Sequence, residues 1–258
     1  CTPSVTSTAV TLTVNSIPRA TTQPSSSTIC LGSNASFTYN ATGTGLSYQW
    51  YENIGSGFVA LSDGGVYSGS ATSTLSLTTP PTTLSGNLYK CVVTGTCSPV
   101  ITSDTVKLTV NSPVTLSVSP ANQSVCVGSN TSFTVTATGT SISYQWQVDQ
   151  GSGFVNISNA GVYSGATSAT LSITGATAGM NGYSYRMVAT GAVSPAANTT
   201  SATLTVETVS TSGSQVNVAC NGGSNGAAAV TASGGSTPYT YSWSPSGGTG
   251  SLATGLSA

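Results

Sequence analysis

The chain has 258 residues, of which four are Lys or Arg, five are Asp or Glu and none is His. Charged residues make up 3%, against about 25% in an average soluble protein. General acid–base catalysis recruits His, Asp, Glu or Lys, so the composition argues against an enzyme. It excludes a His-containing metal site, and no cofactor is expected. A net charge of −1 with four cations also speaks against nucleic acid or an anionic membrane as partner.

Gly, Ser, Thr and Asn are abundant, which raises the question of disorder. Disorder combines low hydrophobicity with high charge, whereas 38% of this chain is hydrophobic and Val, Thr and Tyr recur in alternation, as in half-buried strands. No apolar run approaches the ~20 residues of a membrane span. No basic–apolar leader opens the chain, which reads as a segment of something longer.

Residues 1–14 match residues 97–110 without a gap: CTPSVTSTAVTLTV against CSPVITSDTVKLTV. They are expected to be the last strand of a preceding repeat. Residues 15–110 form a first full repeat, with strand candidates SFTYNATG, LSYQWYEN, TLSLTT, LYKCVVTG and DTVKLTV by the period-2 rule. Residues 111–206 form a second: Trp50 and Trp146 are 96 apart (146 − 50), as are Cys30 and Cys126, Phe58 and Phe154, Tyr67 and Tyr163, and Tyr89 and Tyr185. Its strand candidates are SFTVTATG, ISYQWQVD, ATLSITG, YSYRMVATG and SATLTV. About seven short strands per repeat, divided by turn residues, predict an all-β chain of tandem antiparallel sandwiches in a linear array. A different β module is expected over 207–258.

The landmarks resemble those of an immunoglobulin fold. Trp50 and Trp146 fall on the third strand, where such domains place a core Trp, and Tyr89 and Tyr185 open the sixth, the place of the tyrosine corner. The pattern is similar to Ig-like repeats of very long Bacteroidetes surface adhesins: Cys126-Val127-Gly128, Phe133 to Gly139, Tyr144 to Trp146, Val162 to Gly165 and Tyr185 to Val188. The stretch 218–244 resembles the SprB repeat of gliding-bacterium adhesins through Cys220, Asn221, Gly222, Gly226, Gly234, Gly235, Pro238, Tyr239, Tyr241 and Trp243. That family continues to a second Cys beyond residue 258. The resemblance implies an extracellular stalk at the bacterial cell surface, exported by a type IX route, with neighbouring repeats of the same chain as partners and a link to gliding or surface attachment.

Six cysteines stand at 1, 30, 91, 97, 126 and 220, and none forms a Cys-x-x-Cys pair. Disulfides are the default outside the cell. The resembling families pair the lead-in Cys with one just after the sixth strand, which implies Cys30–Cys97. Cys91, inward on that strand beside Trp50, stays open as the alternative partner. In the second repeat Met187 and Val193 occupy the partner positions. Trp50, Trp146, Trp243, Tyr89 and Tyr185 are read as core residues rather than a sugar platform. Tyr67 and Tyr163, within GVYSG, are candidates for glycan contact. Lys90 and Arg186 occupy equivalent outward positions and could meet an anionic glycan or be ordinary solvated residues. Glu52, Asp63, Asp104, Asp149 and Glu207 are too dispersed for a metal site. Asp104-Thr105-Val106 resembles a Bacteroidetes O-glycosylation site, at Thr105. Six Asn-x-Ser/Thr triplets, at Asn34, Asn40, Asn122, Asn130, Asn156 and Asn198, are discounted in so Ser/Thr-rich a chain.

Two roles are in play. The first is a passive spacer, with short Pro-bearing junctions and about 40 Å per repeat. The second is polysaccharide recognition by the repeats themselves. A third possibility attaches to residues 1–14: a strand completing an upstream sandwich, or one donated to another copy to build a filament.

Overall fold

The structure, a computed structural model, describes residues 2–235, 237–244 and 248–257. Two compact units divide the chain near Pro113. The first repeat contains β1 (Arg19–Thr22), β2 (Ser27–Cys30), β3 (Ala35–Thr38), β4 (Asn40–Thr42), β5 (Ser47–Asn53), β6 (Phe58–Ala60), β7 (Tyr67–Ser68), β8 (Thr74–Leu77), β9 (Leu88–Thr94), β10 (Ile101–Thr102) and β11 (Val106–Asn111). One sheet runs β2-β11-β9-β5-β6, with β10 on the edge of β9; the other layer holds β3-β8-β7 and the pair β1-β4. All pairings are antiparallel except β2 with β11, which is parallel.

Alternation explains the layers. Along β9 the inward residues Tyr89, Cys91 and Val93 are fully buried while Leu88, Lys90 and Val92 look outward. Successive side chains on a strand point to opposite faces, so one short strand supplies both core and surface. The core gathers Phe37, Trp50, Leu75, Leu77, Tyr89, Cys91, Val93, Val106, Leu108 and Val110. The expected strand SFTYNATG divides in two: β3 pairs with β8, and β4 pairs with β1 in a different sheet. Tyr39, between them, is buried, and the chain changes sheets there.

The second repeat returns every element 96 positions on: β12 (Thr115–Val118), β13 (Gln123–Cys126), β14 (Thr131–Thr134), β15 (Thr136–Thr138), β16 (Ser143–Asp149), β17 (Phe154–Asn156), β18 (Tyr163–Ser164), β19 (Thr170–Ile173), β20 (Ser184–Thr190), β21 (Ala197–Asn198) and β22 (Ala202–Glu207). Its sheets repeat the same order, and its own core holds Phe133, Trp146, Val148, Leu171, Ile173, Tyr185, Met187, Leu204 and Val206. Both repeats are immunoglobulin-like sandwiches.

The C-terminal module is a three-stranded antiparallel sheet of β23 (Ser210–Val216), β24 (Gly226–Ser233) and β25 (Leu252–Leu256), in the order β23-β24-β25. Every residue of β23 is exposed. Residues 237–244 lie outside any strand. So do residues 2–18, where Val5, Val10, Leu12 and Val14 are exposed. Cys1 lies outside the described residues.

Candidate functional site

Trp50 and Trp146 are fully buried. Each indole N–H donates to a backbone carbonyl, Thr72 O and Ser168 O, both at 2.9 Å. Phe37 sits where an antibody-type domain would place its first core Cys. It stacks on Tyr89 with ring centroids 5.1 Å apart and lies 6.4 Å from Trp50. Phe133 repeats this with Tyr185 at 4.7 Å and Trp146 at 6.3 Å. An aromatic triad thus fills the space a core disulfide would span. Offset and tilted ring pairs contribute about 0.5–1.5 kcal/mol beyond their buried area.

No disulfide forms among the described cysteines: Cys30, Cys91, Cys97, Cys126 and Cys220 are free. The expected Cys30–Cys97 bridge is corrected by strand register. Cys30 lies opposite Asn111, at the far end of β11. Lys107 pairs with Leu88 at the start of β9, and Cys97 follows the other end of β9, so the two cysteines stand at opposite ends of the sandwich. A disulfide needs Cα atoms within about 7 Å. Cys91, the alternative partner, is buried in mid-strand. Burial pushes its thiol up to about 12 from the ordinary 9.0, so it stays protonated and unreactive.

Tyr67 and Tyr163 are half-buried, with their hydroxyls turned inward. Tyr67 donates to Glu52 Oε1 at 2.7 Å, as does Tyr89, while Asn87 Nδ2 donates to the same oxygen at 2.8 Å. Burial pushes the Tyr67 phenol up to about 12 and raises that of Tyr89 further. In the second repeat Val148 replaces Glu52, and the hydroxyls of Tyr163 and Tyr185 bond each other at 3.1 Å. The hydroxyls of Tyr89 and Tyr185 meet side chains, not the backbone a few residues upstream.

The outer face of the larger sheet carries a constellation that the sequence only half revealed. Lys90 on β9 pairs in register with Tyr51 on β5. Its ammonium reaches past that ring, 5.9 Å from its centroid, to stand 4.3 Å over Phe58 on β6. In the second repeat the Arg186 guanidinium lies 4.0 Å over Phe154. Arg186 Nε donates to Gln147 Oε1 at 2.8 Å, and Gln147 Nε2 donates to Asn156 Oδ1 at 2.8 Å. Lys90 and Arg186 had been singled out by their spacing. The phenylalanines beneath them were visible only as a repeat landmark, because nothing in a sequence shows that one outward side chain reaches across a strand to another.

Trp243 departs from the core role expected of it. It is half-buried, donates its indole N–H to Gly250 O at 2.8 Å, and lines a groove of about 350 Å³ with Gly213, Ser214, Gln215, Ala228, Ala229 and Val230. Small side chains on β24 leave nothing large to cover the ring. Thr105 is exposed just before β11. No group of three or more His, Cys, Asp or Glu side chains gathers among the described residues, and no described helix is long and apolar enough to cross a membrane.

Residues 212–250 match the SprB repeat family. They hold β24, the groove lining and Trp243. No curated protein matches the chain. Solved structures similar to it are strings of immunoglobulin domains. The I67–I69 fragment of the titin I-band is 15% identical with a TM-score of 0.56, covering 89% of this chain and 78% of that one. Sidekick-1 immunoglobulin domains 1–4 are 19% identical with a TM-score of 0.58, covering 74% and 49%. The N-terminal four Ig domains of Dscam1 isoform 6.9 are 20% identical with a TM-score of 0.58, covering 76% and 47%. The chain thus spans about half the length of the Sidekick-1 and Dscam1 fragments. At these identities the likeness shows the fold.

Proposed function

We propose that the chain is an extracellular segment of a long bacterial surface adhesin, in which the Ig-like repeats space and present adhesive modules. The observation that carries this reading is the SprB-type match at 212–250 directly after two tandem Ig-like sandwiches. The scarcity of charge fits a non-enzymatic role, since few side chains remain for acid–base work. Residues 2–14 belong, in this reading, to the closing strand of a preceding repeat, and exposed Thr105 is a position for O-linked glycan. Gliding or surface attachment is the process such an adhesin would serve. The test is antibody labelling of intact cells that produce the protein, with antibodies raised against residues 15–206. Labelling without permeabilisation, removed by brief protease treatment, is expected. Signal only after permeabilisation would overturn the reading.

A further inference from the structure

We propose that the outer face of each Ig-like sandwich binds the carboxylate groups of an acidic polysaccharide, through Lys90 in the first repeat and Arg186 in the second. The argument begins from scarcity. The chain holds four cations in all, and two of them occupy one position of the repeat, each stacked on the equivalent phenylalanine. The supporting residues differ, Tyr51 against Gln147 and Lys against Arg, while the cation-on-phenylalanine pair recurs. Stacking on a ring face fixes the charged head and leaves its remaining donors toward solvent. Among the described residues neither cation has a carboxylate partner. Glu52 is the acid nearest in sequence to Tyr51 and faces the opposite way, bonded to Tyr67, Tyr89 and Asn87.

The geometry specifies the ligand further. Gln147 takes the Arg186 Nε–H, which leaves the two terminal nitrogens as a fork matched to a carboxylate. Leu88, Val92 and Phe58 share the outer face with Lys90, the Asp149 carboxylate across from Phe154 has its Oδ1 taken by the Gly151 and Gly153 amides, and Gln147 with Asn156 lines the Arg186 side with amide groups. Such groups suit sugar hydroxyls. One cation per repeat gives weak single contacts, and a polymer with a carboxylate on successive sugars gains by engaging several repeats at once. The inference concerns a binding activity of the Ig-like repeats, and it stands or falls apart from the surface location proposed above.

The test is calorimetric titration of the full 258-residue chain with a galacturonic-acid hexamer, with the fully methyl-esterified hexamer as the neutral control. Binding of the acid form at two sites per chain, at least tenfold stronger than that of the ester, is expected. Arg186→Gln should leave one site, and Lys90→Gln with Arg186→Gln should remove both. These variants keep a polar stem over the phenylalanine, and unchanged thermal midpoints show that the fold is intact. Equal binding of acid and ester, or binding indifferent to the double substitution, overturns the proposal. So does binding of polyglutamate without binding of the hexamer, which would mark an acidic protein as the partner.

Discussion

Glu52 faces inward from β5, where the second repeat has Val148, and the difference reorganises its neighbours. One carboxylate oxygen collects three donors in the first repeat, while Tyr163 and Tyr185 satisfy each other in the second. Removing the acceptor alone strands the half-buried Asn87 amide, and an unpaired donor there costs about 1 kcal/mol, the low end of the range for a buried group. Glu52→Val is therefore expected to destabilise the first repeat by that amount. Adding Asn87→Tyr, the residue at 183, should recover most of it; a urea-denaturation double-mutant cycle reads the coupling. Alkaline pH tests the same region. Tyr67 rises from 10.0 to about 12 on folding and Cys91 from 9.0 to about 12, so both hold their protons more tightly in the folded state. Their contribution to stability is whole below the unfolded values and is lost as pH climbs from there towards 12. The urea midpoint should begin to fall near pH 9, and Cys91→Met, the side chain found at 187, should delay that onset to near pH 10. None of this network was legible in the sequence. Glu52, Tyr67, Asn87 and Tyr89 are spread over 38 positions (89 − 52 + 1); the pairing of β5 with β9 sets Glu52 beside Tyr89, and packing of the opposite sheet brings in Tyr67 from β7.

At the level of elements, period-2 alternation located the long strands, because one buried face leaves a regular trace. LSYQWYEN became β5 and LYKCVVTG became β9 with small boundary shifts. The change of sheet at Tyr39 left no such trace, since the alternation runs on through SFTYNATG while the hydrogen-bond partner changes. The GVYSG motif, read as a possible binding loop, is explained by its turn. Gly69 and Gly165 have φ of +78° and +76°, in the left-handed region that a side chain rarely adopts. A Cβ at either position would also meet the carbonyl oxygen of Thr74 or Thr170. Gly165→Ala is expected to cost at least about 2 kcal/mol through backbone strain and this clash. A thermal midpoint within a degree of the parent would show that the turn relaxes freely. Cysteine pairing was the least legible feature, because it depends on which end of the sandwich each strand terminus reaches.

Over the whole molecule, each sandwich closes its own core from its own strands, so damage should remain local. Trp146→Ala, at about 3–5 kcal/mol for a buried Trp, should accelerate hydrogen exchange across β16, β19 and β20 and leave β5, β8 and β9 unchanged; spread into the first repeat would refute independent cores. Residues 2–14 pose the complementary case, a strand sequence without a sandwich. Val10, Leu12 and Val14 are 93%, 88% and 82% exposed, whereas their equivalents Val106, Leu108 and Val110 are 4%, 0% and 3% exposed. The same apolar row is core in one place and surface in the other, and what differs is the presence of strands equivalent to β2 and β9 beside it. Placing a copy of residues 15–96 ahead of residue 1 restores the natural spacing, since residue 1 corresponds to residue 97. In that extended protein the amides of Val10 to Val14 are expected to exchange as slowly as those of Val106 to Val110. Exchange at the rate of an unpaired chain would mean that the likeness to β11 is one of sequence without strand-forming consequence, and the closing-strand role would be withdrawn.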